Sequence, residues 1–198
     1  MTYQGRTGEL FHPGAARDLR VLGRSARVVA AVHTQEEFNL LFKLIFHHER
    51  RIATRSIDAV EKITRKHPYF LESHKTQLWA LLNDDPATEL KWHLAQIVTR
   101  MELSPAEFRK VWFLLTHWVI NPNESKMVRV NSLQSLFELT EKLPDPSLMQ
   151  SFRNTVRSIE KERIPSISAR IKTLRNKYLR IHKQKRLLQS KRSHQVGQ

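Results

Sequence analysis

Apolar residues recur along this chain at the three- and four-residue spacing of helices with one buried face. Phe38, Leu41, Ile45 and His48 share a helical face, and Ile52, Ser56, Ala59, Val60 and Ile63 share the next. His67-Pro68 predicts the end of that second helix, because the residue before a proline is driven out of the helical region. Leu71, His74, Leu78, Leu81 and Leu82 predict a third helix, closed by Asp84-Asp85-Pro86. Leu90, Leu94, Ile97, Val98 and Met101 predict a fourth. Ser104-Pro105 with Glu107 reads as an N-cap, a first-turn proline and a capping-box acid. They open a fifth helix carrying Phe108, Val111, Trp112, Leu115, Trp118 and Val119, which Asn121-Pro122-Asn123 breaks. A sixth is expected from about Glu124 to Lys142, with Val130, Leu133, Leu136, Phe137 and Thr140 inward. Pro144-Asp145-Pro146 separates it from a seventh carrying Leu148, Phe152, Val156 and Ile159. The eighth starts near Pro165 with Ile167, Ile171, Leu174, Tyr178 and Ile181. A strand pattern is hinted at only over Arg27–Val32, so the predicted fold class is all-α.

The helices repeat. Arg55, Lys91 and Arg129 each stand four residues before a small or apolar position, Ala59, Ala95 and Leu133, at spacings of 36 and 38 residues. Six residues before each base stands Glu49, Asp85 or Asn123. A poorer fourth copy falls near Ser168–Thr173, where Arg163 and Ile164 occupy the place of the acid. The unit is helix, short turn, helix, and one such pair cannot hide its apolar face alone.

On these residues the chain resembles the HEAT repeat family of armadillo-like α-solenoids, including small bacterial HEAT-like proteins of unassigned role. In that family an acid in the turn precedes a base on the second helix, and successive copies form a polar ladder. The resemblance implies a right-handed solenoid of about four helix pairs. It makes Glu49, Arg55, Asp85, Lys91, Asn123 and Arg129 the expected ladder. The expected organisation is a flexible lead-in over 1–20, a solenoid over 21–181 and a basic tail over 182–198.

Length and composition fit this picture. The 198 residues suit one or one and a half domains. The absence of cysteine removes a disulfide framework, a thiolate zinc site and a cysteine nucleophile. The net charge of +15 points to an acidic partner, but its placement qualifies that. Residues 163–198 hold 11 Lys and Arg and no Asp or Glu, and residues 1–30 net +3, leaving +1 for residues 31–162. Arg170, Lys172, Arg175, Lys177, Arg180, Lys183, Lys185 and Arg186 surround the apolar stripe of the last helix. They are the candidate contacts for nucleic acid or another anion.

Candidate chemistry is sparse. His47-His48 are adjacent and point about 100° apart on a helix, so they do not chelate one ion. No His-x-x-x-His stands on a helix face, and His74, His93 and His117 sit singly. Phosphate-binding glycine loops and the Gly-x-Ser-x-Gly elbow are missing. Trp79, Trp92, Trp112 and Trp118 read as packing residues between stacked helices. No catalytic residue, metal or cofactor is assigned, and no run of apolar residues is long enough for a transmembrane segment. The expected protein is a cytoplasmic, non-enzymatic scaffold that binds a protein partner on a concave face of second helices, near Lys62, Arg65, Arg100 and Lys142. The alternative is nucleic-acid binding, since some alkylpurine DNA glycosylases are HEAT-like proteins of similar size. That family's catalytic aspartate matches no particular position here.

Overall fold

The computed structural model describes the backbone of residues 21–196 and the side chains of residues 26–181, 183 and 184. The expected lead-in over 1–20 lies outside the described residues, as do the side chains of Lys185 and Arg186. Among the described residues every regular element is helical. Val21–Ala31 is a helix, α1, so the strand hinted at over Arg27–Val32 is corrected. Val28 is buried and Val29 half-buried, the pattern of a helix edge rather than of strict alternation.

Helix α2, Gln35–Lys43, starts in a reciprocal cap. The Thr34 hydroxyl accepts from the Glu37 amide, and the Glu37 carboxylate accepts from the amides of Thr34 and His33. It tightens into a 3-10 turn at Leu44–Phe46, and His47 is extended. His48 therefore leaves the helical face on which its spacing put it. Helix α3 spans Arg50–Thr64. The third expected helix divides: a 3-10 run over Pro68–His74 leads into α4, Lys75–Asn83. Helix α5 spans Thr88–Ile97 and ends in a 3-10 turn, Val98–Arg100. Helix α6, Pro105–Ile120, carries the expected box between Ser104 and Glu107. Helices α7, Lys126–Lys142, and α8, Pro146–Glu160, are capped by the side chains of Ser125 and Asp145. Helix α9 runs over Pro165–Val196.

The chain forms two compact units, residues 1–111 and 112–198. In the first, α3 packs against α1 on one side and α5 on the other, with α2 against α3 and α4 against α5. Its core includes Phe38, Leu41, Phe42, Ile57, Val60, Leu78, Leu94 and Ile97, all essentially inaccessible. Each such side chain contributes roughly 1.5–3 kcal/mol of burial. Ala59 and Ala95, the small positions of the repeat, are fully buried on α3 and α5. In the second unit α7 is the central helix, packing against α8 and α9. Leu133, Leu136, Phe137, Phe152, Ile159, Ile167, Ile171 and Leu174 build that core.

Candidate functional site

Polar side chains of each unit are linked at the period of the repeat. Arg100 meets Glu61 across 39 residues, and Arg50 pairs with Glu89 across 39. The Trp112 indole donates to the Ser151 hydroxyl across 39, and Arg170 to Gln134 across 36. His74 meets Asn39 across 35. Corresponding positions of neighbouring helix pairs are thus joined.

The expected ladder residues are placed differently from one another. Lys91 Nζ lies 2.6 Å from Asp85 Oδ1, within one repeat. Asp85 takes a left-handed backbone, with φ of 43°. The lysine's hydrogen bond and charge hold the Asp85 carboxyl below its ordinary range. Arg129 is 2% exposed and turns away from Asn123. Its Nε donates to the Val119 carbonyl at 2.8 Å, and its Nη2 reaches Glu162 at 2.7 Å. The arginine's hydrogen bond holds Glu162 low. Among the described residues no ion pair joins Glu49 to Arg55. Glu49 precedes α3, and its carbonyl accepts from the Ile52 and Ala53 amides.

Among the described residues Glu61 is the most deeply buried acid, 1% exposed. Arg65 grips it with Nε at 2.9 Å and Nη2 at 2.7 Å, and Arg100 Nη2 stands at 2.5 Å. Arg100 Nη1 also donates to the Glu61 carbonyl and the Thr64 hydroxyl. Burial pushes the Glu61 carboxyl up, but the two guanidinium groups outweigh it and the net shift is down. Arg65 and Arg100, expected to face a partner, hold the fold together here, as does Lys62, 2.7 Å from Asp58. The signal was present in sequence: Glu61 and Arg65 are four apart on one helix.

Two histidines, His74 and His93, are buried, while His33, His48, His67 and His117 are exposed. His74 stacks on Phe42 at 3.9 Å, with Nδ1 2.8 Å from Gln77 Oε1 and Nε2 2.6 Å from Asn39 Oδ1. His93 is 1% exposed and stacks on Trp92, and its Nδ1 has no partner among the described residues. Burial pushes the His93 imidazole down to about 4. Trp118 is buried, while Trp79, Trp92 and Trp112 are half-buried.

The second unit holds a trough of about 330 Å³ between α8 and α9. Phe137 of α7, Phe152, Val156, Ile171 and Leu174 form its apolar floor and walls. Lys177 Nζ sits 5.4 Å from the Phe137 ring centre. Arg153, Arg157 and Arg175 stand on the rim. Arg153 donates to the Tyr178 hydroxyl at 3.4 Å, and Arg175 pairs with Glu160 at 2.8 Å. A second hollow of about 270 Å³ shares Met149 and Tyr178 with the first and leads to Glu141 and Asp145. Leu179, which lines the first trough, is 64% exposed. Of the expected anion contacts on α9, Lys172, Arg175, Arg180 and Lys183 are exposed, and Arg170 and Lys177 are half-buried.

The sequence profile of the HEAT repeat domain matches residues 22–180. The chain belongs to the HEAT repeat family. No curated protein and no solved structure matches it. As a HEAT repeat protein it is an all-α solenoid, and its matched span begins at α1, which repeat spacing alone did not include. No described helix is long and apolar enough to cross a membrane. The trough escaped sequence reasoning because the buried residues lining it, Phe137, Phe152, Val156, Ile171 and Leu174, read as ordinary core positions of a HEAT helix pair. Only the exposed Leu179, next to Tyr178 on the apolar stripe, marks it in the sequence.

Proposed function

We propose that this HEAT repeat protein is a non-enzymatic scaffold that binds a protein partner. The trough between α8 and α9 carries this reading: an apolar floor under three arginines resembles the buried centre and polar rim of a protein-binding patch. The face first expected to serve, near Lys62, Arg65 and Arg100, has those cations engaged with Asp58 and Glu61. The test is in-cell photocrosslinking with the probe at position 179, and at Arg109 as the distant control. A partner caught at 179 and not at 109, whose purified form then binds the full chain, is the expected result. No crosslinked partner at 179 overturns the reading.

A second reading, binding to nucleic acid, rests on the exposed cations Lys172, Arg175, Arg180 and Lys183 of α9. Phosphate contacts release counterions, so affinity would fall steeply with salt. Fluorescent duplex DNA and RNA are titrated across a salt series with the full chain and with a truncation ending at Ile181. Salt-sensitive binding supports this reading, and binding that survives truncation puts the contacts on the repeats. Absence of binding by both forms sinks it.

A further inference from the structure

The partner reading becomes more specific when the trough is considered for charge, length and backbone chemistry. Its floor is apolar, its sides are two helices, and Arg153, Arg157 and Arg175 are among the residues that line it. Glu160, paired with Arg175, is the carboxylate already at that rim. The adjoining hollow ends at Glu141 and Asp145. An extended peptide laid here would desolvate its amides against Phe, Val, Ile and Leu side chains, which offer no hydrogen bonds. A helix satisfies its own backbone and presents apolar side chains on one face. A second copy of α9 is disfavoured by charge, since residues 163–198 contain 11 cations and no acid.

We infer that the trough of residues 112–198 receives an amphipathic helix of an acidic partner. Its apolar side chains fill the space over Phe137 and Phe152, and its carboxylates meet Arg153 and Arg157. The inference rests on the protein-partner reading and names the chemical class of that partner. The occupant lies along α9 past Tyr178, where Leu179 stands exposed. Helix α9 has 32 residues against 15 in α8, so about 25 Å of it continues beyond its neighbour. That overhang gives a partner helix room to extend.

The test uses the full chain and three synthetic labelled peptides of one length. The first is an amphipathic helix with Leu at i, i+3, i+4 and i+7 and Glu elsewhere. The second keeps the Leu positions and replaces Glu with Lys. The third scrambles the acidic sequence. Fluorescence anisotropy is expected to show saturable binding of the acidic amphipath alone. Arg153→Glu with Arg157→Glu, and separately Leu179→Glu, are each expected to weaken it at least tenfold. All three positions are exposed, so circular dichroism should show an unchanged fold. Arg109→Glu, also exposed and outside the trough, should bind as the parent does.

Equal binding of the scrambled peptide, or binding unaffected by Leu179→Glu, overturns the inference and assigns the interaction to charge alone. Duplex DNA that displaces the peptide while Leu179→Glu has no effect does the same in favour of a polyanion surface. A dimer in sedimentation that Leu179→Glu dissociates would put a second copy in the trough and overturn it as well. If a crosslinked natural partner keeps full affinity for both rim variants, the scaffold reading stands and this inference fails.

Discussion

Arg100 reaches back across one repeat to Glu61, its Nη2 2.5 Å from Oε1, while its Nη1 holds the Glu61 carbonyl. The carboxylate is buried and is also gripped by Arg65 from one turn along α3. Removing one partner of a buried ion pair strands the other, which costs about 3–5 kcal/mol. Arg100→Leu is expected to lose about 3 kcal/mol in urea melts, because Arg65 still compensates in part. Glu61→Leu with Arg100→Leu should cost less than the two single changes added together. Additive costs would show that the pair is not coupled. Glu61 is held below its unfolded value, so its contribution is present above that value and is lost as pH falls through the folded one.

Arg129 is the corresponding device of the second unit, buried at 2% and shared between the Val119 carbonyl and Glu162. Lysine has no Nε–H at that place and cannot serve both acceptors with one fork. Arg129→Lys is therefore expected to recover little of the roughly 3 kcal/mol lost in Arg129→Met. Full recovery by lysine in thermal or urea unfolding would mean that charge alone matters there.

His93 gives the fold an acid sensitivity of definite sign. Burial holds the imidazole down to about 4, with the charges of Asp58 and Glu61 acting against it. The unfolded chain takes up this proton near pH 6.5 and the folded chain only near 4, so stability falls as pH drops between those values. The loss amounts to about 3 kcal/mol over the full window. His74, also lowered by burial, adds in the same direction. Urea melts from pH 7.5 to 4.5 should show a shallower decline for His93→Leu than for the parent. Parallel declines would remove His93 from the account.

Arg163 has a φ of 54°, a conformation that a β-carbon disfavours and glycine accepts. It follows the end of α8, its amide donating to the Glu160 carbonyl. Arg163→Gly is expected to raise stability by about 1 kcal/mol, read as a higher melting temperature. Asp85→Gly relieves a similar backbone but gives up the carboxylate that meets Lys91. It should gain less, and a larger gain at position 85 would refute the comparison.

Much of the fold can be read from the residues themselves. Ser104 and Glu107, Ser125, and Asp145 with Pro146 mark helix starts because capping is satisfied within a few residues. The helical period of Ile57, Val60 and Ile63, or of Ile167, Ile171 and Leu174, is enough to name buried faces. His48 and Leu71 were misplaced within helices because 3-10 turns keep almost the same local spacing. The segment Arg27–Val32 hints at a strand in sequence because Val28-Val29 and Val32 suit a strand as well as a helix.

The sequence by itself determined that this chain is helical, where most helices begin and end, and that they recur every 36 to 38 residues. Those properties depend on caps, prolines and side-chain period, all felt within one or two turns. Tertiary structure alone decided that Arg129 takes Val119 and Glu162 instead of Asn123, and that Arg65 and Arg100 converge on Glu61. It also decided that residues of α8 and α9 enclose a trough with Phe137. Each of these outcomes depends on how far one packed helix is offset and tilted against the next. Many side chains fix that offset together, and no single stretch of the chain encodes it.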